Sequence, residues 1–349
     1  MTTEAPPYFS FLWPDKEFYD KWVAQARSSN TFQDDLGMRQ IIQALDLVRE
    51  PKWLVEMLFC KPCVFPEVIE YRLDTMENLI NSEKLFRLFQ VATRQIDEFE
   101  SIEDVESPRL KATHRATAFF QRAMLYCDII IGLKDGLAKI RGEIQSKPLR
   151  DFNNLIVRLA ESAAFSGLQE EVGKLRAQAN KVQWVDLYFN CENEKITGLL
   201  VNSTPEKDER CLAADLIAAG QRISGLDTYK EMDFSQGAKF SPLEELLLQE
   251  ALKVFPDYFA ALNRFQERFQ EYPMKHMKPL GPELKFYGGM IAIIRKLGEY
   301  GFSFCRPQVL AIDEKRAELS QVYDLSLALR LVKDNKKPHR DLIWVSSME

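Results

Sequence analysis

Two thiols three residues apart, Cys60-Lys61-Pro62-Cys63, are the first point in this chain where residue type and spacing suggest chemistry. A thioredoxin-like oxidoreductase places a C-x-P-C pair at a helix N-terminus, where the helix dipole lowers a thiol pKa and makes the thiolate available. That chemistry needs a strand before the pair and an unbroken helix after it. Here the preceding "PKWLVEMLF" is as helical as it is strand-like, Pro66 follows three residues after Cys63, and no βαβ pattern surrounds the motif. The pair therefore reads as two ordinary cysteines. Zinc is no better served, because there is no second C-x-x-C and His114, His276 and His339 stand isolated.

Other catalytic patterns are also missing. A phosphate-binding loop reads G-x-x-x-x-G-K-[ST]; the nearest stretch, "GLKDGLAK" at 132–139, has the wrong spacing and falls inside a helical pattern. No Ser-His-Asp set is identifiable. Glu98, Glu100, Glu103, Asp104 and Glu106 read as a solvated acidic linker rather than a metal cluster. The sequence implies no catalytic residue, no cofactor and no metal, and so a protein that is not an enzyme. Two sets of residues suggest binding instead. Lys134, Lys139, Arg141, Lys147 and Arg150 form a basic run suited to phosphate contacts, with cations complementing a helix C-terminal dipole as the plainer reading. Leu327, Leu331, Ile343 and Trp344 form a candidate apolar interface.

The elements that must position these residues are mostly helices. Residues 31–50 place Leu36, Ile41, Leu45 and Val48 on one face. Pro66 opens a helix through residue 100 whose apolar positions are Ile69, Leu73, Met76, Leu79 and Ile80. The longest pattern runs from Pro108 to Gln145, on the order of 55 Å, with Phe120, Met124, Cys127 and Ile131 on one line and Ile130, Leu133, Leu137, Ile140 and Ile144 on another. A second stretch, 149–180, is expected to pair with it antiparallel. The period then changes, and 182–205 reads as a β-hairpin with "NCEN" as its turn. Helix resumes at Ser241-Pro242 and again over 281–301, where Gly288-Gly289 permits close packing. The last helix is "SQVYDLSLALRLV", with Val322, Leu325, Leu329 and Val332 as its core stripe. The tail is basic, then briefly strand-like. The expected organisation is a mainly α fold: an N-terminal arm and helical core over 1–106, long lever helices over 107–180, a β-hairpin and connecting segment over 181–240, and returning helices with a C-terminal core helix over 241–349.

With 349 residues, 46% of them hydrophobic, the chain can bury a sizeable core. A net charge of −6 argues against gripping nucleic acid by bulk charge, so any contact must use a local patch. Six Cys without a secretory leader suggest a cytoplasmic protein. No run approaches the roughly 18 uninterrupted apolar residues of a membrane span, so no membrane partner is expected.

The stretch "CKPCVFPEVIEYRLDTMENL" resembles the segment that opens the core domain of the MutS family of DNA mismatch-repair proteins. Pro62, Ile69, Arg72, Met76 and Leu79 fall at the steps of that pattern, while Cys63 and Phe65 stand where the family carries Leu and Asp. "FSFLWPDKEF" resembles the opening of MutS-like proteins that lack the mismatch-reading domain, and "FQDDLGMRQIIQAL" is similar to their next block. The long helix pair resembles the lever arms, and the hairpin takes the place of the clamp. "VFPDYFAALNRFQERF", "ELKFYGGMIAIIRKL", "FSFCRPQV" and "VYDLSLALRLV" follow in family order, so the resemblance spans nearly the whole chain. It implies a non-catalytic core and lever module that couples an ATPase domain, not found in these residues, to a clamp on DNA. The full-length family is a DNA-dependent, ATP-binding dimer. Implied partners are an ATPase domain of that family or the full-length protein, DNA bound weakly, and a second copy of the chain. A helical protein-interaction scaffold with no DNA role is the alternative, which the net negative charge favours.

If the cysteine pair is incidental, Cys60→Ser with Cys63→Ser leaves the thermal midpoint and far-UV spectrum unchanged. The wild type then shows no catalysed reduction of insulin; turnover lost in the double variant would restore the redox reading.

Overall fold

Prolines and capping side chains set most of the helix limits. The computed structural model describes residues 8–25, 38–45, 54, 58–59, 63–102, 112–179, 184–192, 195–204, 252, 255–272, 274–310, 312–314, 317–334 and 344–348. Readings placed on Leu36, Val48, Cys60, Pro62, Glu103, Asp104, Glu106, Ser241, Pro242, His339 and Ile343 fall outside these residues. The fold is mainly α.

Helix α1 (Lys16–Gln25) starts at Asp15, whose Oδ1 accepts the Phe18 N–H at 3.0 Å. Helix α2 (Met38–Ala44) buries Ile41 and Ile42. Pro66 does open a helix, but the single helix expected over 66–100 is two: α3 (Pro66–Asn81) and α4 (Glu83–Ser101). Ser82 divides them. Its backbone is extended, at φ −126° and ψ 100°, and its hydroxyl accepts the Leu85 N–H at 3.1 Å, capping α4. Since α4 runs on to Ser101, Glu98 and Glu100 lie on a helix rather than in a linker.

Helix α5 (Ala112–Lys139) has 28 described residues, about 42 Å, and stops at Lys139 rather than at Gln145. It gives way to a 3-10 turn at Arg141–Glu143. The expected second long helix is again two, α6 (Lys147–Ala160) and α7 (Ala163–Ala179), and α6 packs on α3. Strands β1 (Trp184–Glu192) and β2 (Lys195–Thr204) pair antiparallel from Trp184↔Thr204 to Glu192↔Lys195. The register shifts between Asn190 and Cys191, so the first three residues of "NCEN" belong to the strand. Helices α8 (Pro256–Phe269) and α9 (Leu280–Glu299) follow. Strand β3 (Ala317–Val322) pairs with β4 (Trp344–Met348) on either side of α10 (Leu325–Lys333). Ser320–Val322, expected as helix, is therefore strand.

The chain divides into two compact units, one drawing on Met1–Glu100, Leu125–Ser162 and Pro273–Glu349, the other on Ser101–Met124 and Ala163–Tyr272. In the second unit, Phe265 of α8 lies 5.6 Å from Phe119 and 5.8 Å from Phe120 of α5, and α8 packs on α7.

In the first unit the centre is the non-helical segment before α1. Phe11, Leu12 and Trp13 are at most 2% exposed. The Phe11 ring lies 4.9 Å from Phe152, 5.5 Å from Phe89 and 6.3 Å from Tyr287. A buried backbone without sheet partners must find its hydrogen bonds elsewhere. Here side chains supply them. Tyr71 Oη donates to the Ser10 carbonyl at 2.9 Å, Tyr287 Oη to that of Phe11 at 2.8 Å, and Arg72 Nε to that of Leu12 at 2.9 Å. Glu283 accepts the Ser10 hydroxyl at 2.6 Å and the Phe11 N–H at 2.7 Å, and Ser10 Oγ accepts the Leu12 N–H at 3.0 Å. The Arg72 guanidinium also lies over the Trp13 ring at 4.6 Å. Arg72 thus holds both a carbonyl and a ring of this segment.

This duty rotates α3. Its buried residues are Val68, Tyr71, Thr75, Asn78 and Leu79, whereas Ile69, Leu73 and Met76 are half-buried and Ile80 is exposed. Glycines admit the neighbours of α9. A Cβ on Gly289 would meet Leu45 at 3.0 Å, including its backbone, and one on Gly281 would meet Ile96 at 2.9 Å. The helix ends where Gly301 takes φ +93° and the Phe302 N–H reaches back to the Leu297 carbonyl at 3.1 Å. Among the described residues one stretch, His114–Lys139, is long and apolar enough to cross a membrane by composition; 56% of its apolar window is buried within the protein, as in a core helix.

Burial pushes the Glu283 carboxyl up to about 7, against the Ser10 and Phe11 hydrogen bonds and the Arg72 charge, which lower it. A folded pKa above the unfolded value of about 4.3 means that this group stabilises fully below pH ~4.3 and loses that contribution as pH rises to about 7. Gln resembles the protonated form. Denaturation of Glu283→Gln against wild type should therefore show the stability difference moving in favour of the variant by roughly 1–3 kcal/mol between pH 4.5 and 7.5. Parallel pH profiles would refute this role for Glu283.

Candidate nucleic-acid interface

The basic run begins at the end of α5 and continues into the first turn of α6, across a bend that one buried residue fixes. Asn78, near the end of α3, donates through Nδ2 to the Glu143 carbonyl at 2.7 Å. Its Oδ1 accepts the Gln145 N–H at 2.7 Å and the Ser146 N–H at 2.8 Å. The Glu143 carboxylate accepts the Ser82 hydroxyl at 2.5 Å and pairs with Lys84 Nζ at 2.9 Å. These two partners hold the carboxyl below its usual range, the Ser82 bond most of all. The bend is thereby tied to both α3 and α4.

Four of the five expected cations come together here. Lys139 is in the last turn of α5, Arg141 in the 3-10 turn, and Lys147 and Arg150 in the first turn of α6; all four are exposed. Arg150 Nη1 donates to the Gln145 carbonyl. Lys139, Arg141 and Lys147 make no ion pair or side-chain hydrogen bond with a described residue. Lys134 does not join them: it is half-buried and paired with Glu161 at 3.3 Å. Lys84, which the sequence gave no reason to include, adds a cation through its contact with Glu143 and is 73% exposed. Nothing in a linear reading links residue 84 to residue 143, but Asn78 and Ser82, polar residues at the junction of two amphipathic helices, were a visible sign of a buried polar tie.

The C-terminal residues are placed differently from expectation. Asp324 caps α10 by accepting the Ser326 N–H at 2.7 Å and the Leu327 N–H at 3.0 Å, which leaves Val322 outside the helix and 36% exposed. The buried face of α10 is Ser326, Ala328 and Val332, small residues that let it approach α2; Leu325 and Leu329 of the expected stripe are half-buried. Leu327 and Leu331 are half-buried too. Trp344 begins β4, and Ile343 lies outside the described residues.

Three cysteines have described side chains. Cys63 is half-buried with its Sγ 3.9 Å from the Phe65 carbonyl, Cys127 is buried and pushed up to about 12 by that burial, and Cys305 is exposed. Among the described residues no group of three or more His, Cys, Asp or Glu could hold a metal ion. No protein-family model matches the chain, nor does any curated protein or solved structure.

Asn78 makes three hydrogen bonds to the bend from a position 7% exposed. Asn78→Ala should cost about 2–4 kcal/mol in urea denaturation, since it orphans backbone groups as well as deleting bonds. Asn78→Asp, which keeps both acceptor bonds, should cost less; equal losses would show that cavity formation dominates instead.

Proposed function

We propose that this chain is the non-catalytic core and lever portion of a MutS-like DNA-repair protein, mechanically linking an ATPase module to a clamp on DNA. The observation that carries the reading is the order of the family-like blocks along nearly the whole sequence. Their packing supports it. "FSFLWPDKEF" contributes Phe11 and Trp13, the block around Ile69 contributes Tyr71 and Arg72, and "ELKFYGGMIAIIRKL" contributes Glu283 and Tyr287, all to one set of buried contacts. The mainly helical fold and the 28-residue α5, which contributes residues to both compact units, suit a part that transmits motion rather than one that performs chemistry. The half-buried leucines of α10, Leu327 and Leu331, are the surface at which we place an ATPase partner or a second copy.

The direct test lies in the gene. A G-x-x-x-x-G-K-[ST] encoded within about a hundred codons after Glu349 is the expected result; a long reading frame without it would remove the family assignment. These 349 residues alone should show no saturable ATP binding by calorimetry. Micromolar ATP affinity would place a nucleotide site where none is proposed.

A further inference from the structure

Two explanations compete for the cations at the bend, and the helix limits separate them. Positive side chains at a helix C-terminus are stabilised by the dipole there, which accounts for Lys139 and Arg141 at the end of α5. The same rule works against Lys147 and Arg150. They stand in the first turn of α6, where the dipole is also positive and no acidic residue is present. Ser146 occupies the cap position of α6 but makes no side-chain cap bond, and the contact these two cations do make locally is to a neutral group, the Gln145 carbonyl that accepts from Arg150. The one carboxylate inside the bend, Glu143, is already taken by Ser82 and Lys84. The bend is also held in shape, because Asn78 fixes Glu143, Gln145 and Ser146, and each cation except Lys139 lies within two residues of one of these or bonds to it. A net-negative chain thus holds a fixed corner of exposed positive charge that its own acids leave largely unneutralised.

We infer that Lys84, Lys139, Arg141, Lys147 and Arg150 form a docking surface for the sugar-phosphate backbone of a nucleic acid. Arginine guanidinium and lysine ammonium groups on a preshaped bend engage successive phosphates without reading bases. A lipid surface fits less well, because among the described residues at 78–84 and 139–150, the bend and its ties, Ile80 is the one exposed large apolar side chain, with no exposed aromatic among them. The inference rests on the DNA side of the function proposed above and is independent of the ATPase module.

The test is fluorescence anisotropy of the full 349-residue chain with a 30-base-pair duplex of arbitrary sequence, from 50 to 200 mM salt. Wild type should bind, with log K falling against log salt at a slope of about −4. Lys139→Gln, Arg141→Gln, Lys147→Gln and Arg150→Gln combined should weaken binding at least tenfold and reduce the slope to about −1, the share of Lys84 alone, with an unchanged far-UV spectrum. Exchanging Lys and Arg at these four positions should retain most of the affinity. Lys134→Gln should bind like wild type. The inference fails if wild type does not bind at 50 mM salt, if the four-fold variant keeps wild-type affinity and slope, if Lys134→Gln does equal damage, or if anionic phospholipid vesicles bind more tightly than the duplex. A duplex-binding chain whose gene lacks a P-loop would sink the family reading and leave this surface standing.

Discussion

The first compact unit depends on one constraint: three consecutive peptide groups, Ser10 to Leu12, are buried without a strand beside them. Unpaired, such groups cost several kcal/mol in an apolar interior. The chain meets this with side chains rather than with a sheet. Tyr71 and Arg72 come from α3, Tyr287 and Glu283 from α9, and each reaches a main-chain atom of the same short segment. Those helices must then turn polar residues inward, and they must come close enough for a phenol oxygen to meet a carbonyl at 2.8 Å. The glycines of α9 follow from that closeness, since Gly289 lets the backbone at Leu45 approach and Gly281 admits Ile96. Phe11, whose N–H and carbonyl are both held, is thereby fixed among Phe89, Phe152 and Tyr287.

Helix α3 serves more than this segment. Its inner face holds residues 10–12, its last turn holds the bend through Asn78, and a third face carries Glu70, Asp74 and Glu77, spaced four and three residues apart. All three carboxylates meet Arg306, with Nη1 to Glu77 at 2.6 Å, Nη2 to Asp74 at 2.7 Å, and Nη2 also to Glu70. The Arg306 side chain is one-third exposed, so water and salt screen these pairs and their contribution is modest. Their effect is on geometry: without a cation between them, three like charges along one helix face repel. One helix of 16 residues thus fixes chain segments near residues 11, 145 and 306.

This explains which parts of the fold the sequence made legible. Element type was readable where burial is apolar and periodic, as in α5, where Ile130, Leu133 and Leu137 are buried as the spacing implied; of the two expected to follow them, Ile140 is buried just past the helix and Ile144 half-buried. Helix starts with a proline were readable at Pro66. The inward face of α3 was misread because an apolar count favours Ile69 and Met76 over Tyr71, Thr75 and Asn78. Tyr71 and Asn78 are buried because partners 61 to 68 residues away satisfy them, which no local pattern encodes, while Thr75 donates to the Tyr71 carbonyl one turn back. The breaks at Ser82 and Glu161 were missed for a related reason: the apolar period continues across both, and only Ser82, an N-cap residue with its acceptor aimed at Leu85, carried a local stop signal. Asp324 carried the same signal at α10 and sets its start three residues after Val322. Of the candidate site, the cations were visible as a run; that Lys134 belongs to a different surface and Lys84 to this one depended on the fold.

A net charge of −6 and a basic corner are compatible because screening separates near from far. At physiological ionic strength the Debye length is about 8 Å, so a polyanion approaching the bend senses mainly the cations within that distance. The acidic remainder, including the Glu70, Asp74 and Glu77 face, acts as a repulsive background that disfavours other approaches. Overall acidity then restricts orientation rather than abolishing contact. The same separation of charge works within the fold: Asn78 and Glu143 meet the polar needs of the bend internally, which leaves Lys139, Arg141 and Lys147 with no partner among the described residues. A bend stabilised by its own cations would have had to give up those charges to hold its shape. Here a neutral amide makes three of the bonds that hold the shape, Lys84 and Arg150 add one each, and Lys139, Arg141 and Lys147 keep their charge for solvent and for whatever anion the surface meets.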